Sequence, residues 1–282
     1  MLTPVACDLT PGRPLQVARG VRRLVAGNPG PLTGPGTNSY LIGTRELVIL
    51  DPGPALPAHT EAILAAVGSA TVVAIVVTHT HLDHSPGARE LQRRCGAPLW
   101  GSPARHPAHQ DATFSPTRGV GDGDTLDCDA GPLVAVATPG HASNHVCWYQ
   151  PAARLLYTGD HILGTTSPVI LPPDGDMTEY LDSLARLAAL SLALLLPGHG
   201  PPLTEPQAVI ESLTRHRLAR EARVAAALAV GSPVSLDALL PIAYADVDPS
   251  LYPWARRTLE AHLIRLERTG RARRVGAGWA PA

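Results

Sequence analysis

Residues 71–84, TVVAIVVTHTHLDH, join an apolar, mostly β-branched run (Val72 to Val77) to four metal-grade side chains: His79, His81, Asp83 and His84. The run is short and β-branched, which predicts a buried strand rather than a helix. In a layered α/β protein the residues just past such a strand are where chemistry is exposed. Three imidazoles and a carboxylate within six residues suit a borderline-soft divalent ion such as zinc.

The same pattern recurs along the chain. Leu133–Ala137 runs into Thr138-Pro139-Gly140-His141, Arg154–Tyr157 into Thr158-Gly159-Asp160-His161, and Leu192–Leu196 into Pro197-Gly198-His199-Gly200. Strands ending at 77, 137, 157 and 196 would bring His79, His81, Asp83, His84, His141, Asp160 and His199 to one rim. Seven donors from four segments are enough for two metal ions sharing one carboxylate.

Around these motifs the chain alternates strands and helices. Strands are expected at 39–42 and 46–50, the latter ending in Asp51-Pro52-Gly53, and helices at 57–67, 86–95 and 177–190. Ser85 is expected to cap the second helix, with Pro86 at its first position. Residues 102–118, with His106 and His109, read as a long surface loop. From Glu205 the character changes: helices over 205–228, 235–243 and 254–269, with a break at Gly231-Ser232-Pro233, lead into the basic segment RARRVGAGWAP. The expected organisation is a catalytic domain over 1–204 and a C-terminal region over 205–282.

The bulk composition is that of an ordinary globule, with 45% apolar and 17% charged residues over 282 positions. A formal charge of −1 provides no global drive towards nucleic acid or membrane. All 23 basic residues are Arg, which excludes lysine Schiff-base and P-loop chemistry. Cys7, Cys95, Cys128 and Cys147 lack C-x-x-C spacing and read as free thiols. No signal-peptide pattern opens the chain, and 181–196 is too short and too polar to span a bilayer, so a cytoplasmic protein without membrane association is expected.

Taken in order, THTHLDH, TPGH, TGDH and PGHG resemble the metallo-β-lactamase-fold hydrolase superfamily, over roughly residues 15–205. More narrowly, NPGPLTGPGTNSYLIG, GDHILG and PGHGPP, followed by HRLARE and a small helical tail, are similar to the β-lactamase-like protein 2 group. The resemblance implies an α/β fold, an αββα sandwich with a small winged-helix-like C-terminal region. It also implies one metal bound by His79, His81 and His141 and a second by Asp83, His84 and His199, with Asp160 bridging. Asp83 and Asp160 are then the candidate catalytic residues, and the cofactors two Zn²⁺, with Mn²⁺ or Fe²⁺ as substitutes. Asp160 stands where true zinc β-lactamases carry a cysteine, which argues against antibiotic hydrolysis. Pro86 replaces a usual Gly, and His161 a familiar Cys.

Two such cations lower the pKa of a shared water, making hydroxide available near neutral pH for hydrolysis. The narrower group is reported to contain endoribonucleases, implying a phosphodiesterase on single-stranded RNA. The tail, with Arg256, Arg257, Arg265, Arg268, Arg271, Arg273 and Arg274 against Glu260 and Glu267, fits a phosphate backbone or equally a solvated helix face. A small-molecule ester or thioester hydrolase of the glyoxalase II kind, or a lactonase, uses the same metal motif. Asp51 reads as support for a His ligand or as a turn residue, and His161 as lining the site or starting the next segment. Ser143, Asn144, His106 and His109 are weaker substrate-contact candidates. His59, His145, His216 and His262 read as ordinary structural residues.

Overall fold

The computed structural model describes residues 8–229 and 233–282. Cys7 and most of the break at 231–233 lie outside the described residues. The chain divides into two units: one of residues up to Thr138, Asn144–Pro168 and Ala189–Gln207, the other of Pro139–Ser143, Val169–Ala188 and Ala208–Ala282.

The first unit is a two-sheet sandwich. Its first sheet runs in chain order through β1 (Leu15–Ala18), β2 (Val21–Val25), β3 (Asn38–Ile42), β4 (Glu46–Leu50), β5 (Thr71–Val76) and β6 (Leu99–Trp100). Its second contains β7 (Thr125–Leu126), β8 (Leu133–Ala137), β9 (Val146–Gln150), β10 (Leu155–Gly159) and β11 (Leu194–Pro197), in spatial order 11-10-9-8-7. Val48 and Leu50 of β4 and Ala74 and Val76 of β5 face the core between the sheets, packed with Trp148, Tyr157 and Leu196. Leu47, Ile49 and Ile75 face the other way, onto α1 (Pro57–Val67) and α2 (Gly87–Cys95). Burial on both faces is why these strands read as unbroken apolar runs. Tyr40 and Tyr157 meet edge-on across the sandwich, centroids 5.3 Å apart.

Parallel pairing of β5 with β4 and β6 brings the ends of all three to one rim. Asp51 N donates to Val76 O at 2.9 Å, so the residue closing β4 sits beside the segment that leaves β5. Gly87 is required where α2 begins: a Cβ there would lie 2.6 Å from Pro52 O.

One local expectation is corrected. The α2 N-cap position is Pro86, with no side-chain cap bond, and Ser85 Oγ instead donates to Asp111 Oδ2 at 2.9 Å. The loop carrying Asp111 claims the hydroxyl that local capping chemistry would have used. Residues 102–118 form a loop without strand or helix, as expected.

The second unit holds α3 (Met177–Ala188), α4 (Pro206–Leu228, all but its first two residues), α5 (Leu236–Ala243) and α6 (Tyr252–Arg268). The basic tail is not merely a charged segment: β12 (Ala272–Val275) and β13 (Gly278–Pro281) pair as an antiparallel hairpin. Leu239, Leu259, Leu263, Leu266 and Trp279 form its core, so three helices and a hairpin make a winged-helix arrangement. No helix among the described residues is long and apolar enough to cross a membrane.

His59 on α1 illustrates a buried imidazole held neutral. Ser39 Oγ donates to Asp51 O at 2.5 Å and therefore accepts from His59 Nε2 at 2.8 Å, while burial pushes the ring down to about 4. A neutral buried His contributes its full stability above the unfolded value near 6.5 and loses it as pH falls from there towards 4. Wild-type protein should therefore lose about 2 kcal/mol relative to His59→Gln between pH 7.5 and pH 5. Urea unfolding of both proteins at both pH values checks this, and an unchanged difference would show that the ring is not held neutral.

Candidate metal centre

The strand ends deliver four donors to one point within the first unit. Asp83 and His84 follow β5, Asp160 follows β10 and His199 follows β11. One donor atom of each lies within 4.8 Å of the others. His84 Nε2 is 3.2 Å from Asp160 Oδ1 and 3.5 Å from Asp83 Oδ2, and His199 Nε2 is 3.1 Å from Asp83 Oδ2 and 3.3 Å from Asp160 Oδ1. His84 and His199 are buried, and Asp83 is the partly open member.

Surrounding groups decide which ring nitrogens face inward. Asp51 Oδ2 accepts from His84 Nδ1 at 3.0 Å, and Gly36 O accepts from His199 Nδ1 at 3.2 Å, leaving both Nε2 atoms turned to the cluster. Asp51 is itself anchored by Thr78, whose N reaches Oδ1 at 2.7 Å and whose hydroxyl reaches Oδ2 at 2.8 Å. With its proton so committed, Thr78 Oγ1 accepts from His79 Nδ1 at 3.0 Å, and His79 Nε2 faces His81 Nδ1 at 2.9 Å. This Asp51–Thr78 hub meets the turn reading of Asp51 with a definite structural role: it orients two histidines through one carboxylate. Asn38, at the start of β3, fastens the His199 loop by donating to Pro197 O at 2.8 Å and Gly200 O at 2.9 Å.

The electrostatics fit a divalent ion. Burial by itself would raise both carboxyls. His84 and His199 overcome it, holding Asp83 at about 2 and Asp160 well below the usual carboxylate range. Burial would likewise lower the imidazoles, yet Asp83, Asp160 and Asp51 hold His84 well above its ordinary value, and Asp160 and Asp83 raise His199 to about 9. The two carboxylates call for positive charge, and His84 Nε2, buried and 3.2 Å from Asp160 Oδ1, makes no well-directed hydrogen bond. A cation would supply the same charge to the same lone pairs, so the donor set fits the ion that its chemistry implies.

His141 belongs to the second unit, where its Nδ1 donates to Val169 O at 2.8 Å and leaves Nε2 as the lone-pair nitrogen. His161 is fully buried at the turn after Asp160, with its ring 5.8 Å from that of His145. His106 and His109 are exposed on their loop. Ser143 is committed to Asp174 at 2.6 Å, and Asn144 Nδ2 to Thr80 Oγ1 and Ser102 O at 2.8 and 2.7 Å, so both hold loops in place.

His145, read from sequence as ordinary, supports the site. It accepts from Asp160 N at 3.2 Å through Nε2, and its Nδ1 therefore donates to Thr138 Oγ1 at 2.8 Å. Gly159 has φ +45° and no room for a side chain, because a Cβ would lie 2.5 Å from Thr78 Oγ1 and 2.7 Å from His145 Nε2. Nothing local marks Asn38 or His145 for these tasks; both act on motifs distant in sequence.

A sandwich with such a rim of His and Asp side chains is the arrangement of the metallo-beta-lactamase fold. The chain belongs to the metallo-beta-lactamase superfamily, whose family model matches residues 32–199. The beta-lactamase associated winged helix domain matches residues 235–279. The chain is 28% identical over 268 residues to a beta-lactamase-like protein 2 homolog of Caenorhabditis elegans, covering 92% of this chain and 86% of that protein. It is 30% identical over 211 residues to an atrochrysone carboxyl ACP thioesterase of Aspergillus fumigatus, covering 74% of this chain and 64% of the fungal protein's length. In fold it is similar to a beta-lactamase domain protein from Burkholderia ambifaria, with a TM-score of 0.83, 24% identity and coverage of 97% and 95%.

Asp51→Asn removes the charge that holds His84 and sets an NH2 either against Thr78 N, on the Oδ1 side, or against both the Thr78 hydroxyl and His84 Nδ1, on the Oδ2 side. Metal affinity should fall about 10- to 100-fold with the fold retained. Chelator-competition titration with zinc checks this, and unchanged affinity would remove Asp51 from the support of the centre.

Proposed function

We propose that the protein is a binuclear zinc hydrolase that cleaves a thioester or ester, with Mn²⁺ or Fe²⁺ able to replace zinc. The observation that carries the hydrolytic reading is the buried Asp83–His84–Asp160–His199 cluster, in which imidazole Nε2 atoms converge on carboxylates and His84 Nε2 lacks a hydrogen bond. In this reading His79, His81 and His141 hold one ion, Asp83, His84 and His199 the other, and Asp160 serves both. When bound, such ions would lower the pKa of a water and polarise the bond to be cleaved. The chain's own residues do the rest. Asp83 and Asp160 stay ionised as acceptors, Asp51 and Gly36 keep the His84 and His199 nitrogens aimed inward, and His145 fixes the backbone of Asp160.

Substrate class is read from the tail and the relatives. The basic excess that suggested a phosphate-backbone track is largely engaged internally. Arg256 pairs with Asp237 at 2.7 Å, Arg265 and Arg271 with Glu221 at 2.5 and 3.0 Å, and Arg268 with Asp176. These acids all lie outside the tail, so the charge balance of 256–274 alone misrepresents the folded surface. Guanidinium groups so neutralised offer less to a polyanion, and the thioesterase named among the relatives favours an acyl substrate. The second reading is an endoribonuclease on single-stranded RNA. It is favoured by the match to the beta-lactamase-like protein 2 homolog, which extends through both domains. A cytoplasmic setting accompanies either reading, in keeping with the free thiols of Cys95, Cys128 and Cys147.

Zinc-loaded protein should hydrolyse acyl-N-acetylcysteamine thioesters, and His81→Ala should reduce the rate by roughly 10²–10³. A labelled single-stranded RNA run alongside decides between the two readings. Cleavage of RNA but not thioester, lost in His81→Ala, would replace the thioesterase proposal with the nuclease.

A further inference from the structure

The second unit contains a cavity of about 360 Å³ that the metal chemistry does not use. Its wall carries Arg257, Arg265, Arg268 and Arg274 against only two carboxylates, Asp176 and Glu260. Both carboxylates already have work. Asp176 Oδ1 caps α3 by accepting from Thr178 N at 2.8 Å and Glu179 N at 3.1 Å, and its Oδ2 accepts from Arg268 Nη1. Glu260 lies 3.3 Å from Arg257 Nη1, whose Nη2 donates to Pro172 O. Arg274 is held over the Trp279 ring at 4.6 Å, with Nε 3.4 Å from Glu267.

Each of these pairs engages only part of a guanidinium, which has five N–H donors. Arg257, Arg268 and Arg274 are each about half exposed, so their remaining donors face water at the cavity. The pairs therefore hold three forks in place without using all of their N–H donors, each guanidinium having one carboxylate partner once Glu221 and Glu267, which lie off the wall, are counted. Between the arginines lie Pro172, Met177 and Ile264, an apolar bed. Several fixed guanidinium forks with N–H donors to spare select a phosphate, and an apolar bed selects an organic group attached to it. The volume is at the small end for ligand sites, enough for one phosphate and a short organic arm but not for a run of nucleotides.

We propose that this cavity binds the phosphate ester of a small, partly apolar organic molecule, of the pantetheine-phosphate type that carries acyl thioesters. The choice of pantetheine rests on the thioester reading of the function; the phosphate requirement rests on the cavity alone. Arg257, Arg268 and Arg274 supply the donors, and Asp176 holds Arg268 while closing the first turn of α3.

Calorimetric titration of the zinc-loaded protein with 4′-phosphopantetheine and with pantetheine, which lacks only the phosphate, isolates the contribution of that group. The phosphorylated ligand should bind at least about tenfold tighter, and Arg257→Gln/Arg268→Gln should erase the difference. Thioester hydrolysis of acyl-N-acetylcysteamine, a phosphate-free substrate, should be unchanged in that variant. Arg274→Gln, which leaves both contacts to the 172–176 segment intact, should give a smaller loss in the same direction and serves if the double variant does not fold. Equal binding of the two ligands, or a preference that survives both variants, overturns the proposal and assigns phosphate binding elsewhere. Tighter binding of a ten-nucleotide single-stranded RNA, lost in the same variants, overturns it in favour of nucleic acid. Failure of thioester hydrolysis with the binding preference intact would sink the functional reading but leave the phosphate site standing.

Discussion

Bringing Asp83 and Asp160 into contact with the same two imidazoles, largely out of water, is the constraint on which the rest of the first unit depends. Two carboxylates facing the same pair of imidazoles repel, and only cations or protonated histidines make the arrangement tenable. The structure meets the requirement with geometry set by distant groups. Asp51 and Gly36 take the outer nitrogens, Thr78 anchors Asp51, and Asn38 fastens the loop that carries His199. Most of these partners lie on or beside strands of the buried first sheet, so the donors cannot drift apart without opening the core.

The same logic accounts for the small residues around the centre. Gly159 and Gly87 sit where backbone must pass within contact distance of Thr78, His145 or Pro52. An exchange for alanine at Gly159 would push against the two groups that hold His79 and Asp160, so the compactness of the site is a property of glycine placement as much as of its donors. The second unit solves a different problem. Glu221, nearly fully buried, accepts from Arg265 and Arg271, and burial pushes His262, beside it, down to about 4. Two partly exposed guanidinium groups answer the one buried carboxylate, while the imidazole beside it stays neutral, so no charge of Glu221 is buried without a partner.

Much of the architecture was legible from local pattern. The strands at 46–50 and 133–137 and the helices at 57–67 and 235–243 lie essentially where periodicity and turn residues put them, because apolar spacing and bounding turn residues are properties of each segment itself. The exceptions share one cause. Ser85 has the chemistry of a cap, but Asp111, 26 residues away, takes its hydroxyl. His145 has no motif around it, yet it supports Asp160 across 15 residues. The arginines of 256–274 look unpaired until Asp176, Glu221 and Asp237 arrive from other elements.

By itself the sequence determined that His and Asp side chains stand just past buried strands, since this follows from side-chain chemistry and from short apolar runs that are entirely local. Through the same motifs it determined the family. Only the tertiary structure decided which imidazole nitrogen faces the cluster and which arginines remain partly open to solvent. Those outcomes depend on hydrogen bonds and ion pairs between residues as many as 163 positions apart, and no local pattern encodes which of several possible acceptors the folded chain will bring within reach.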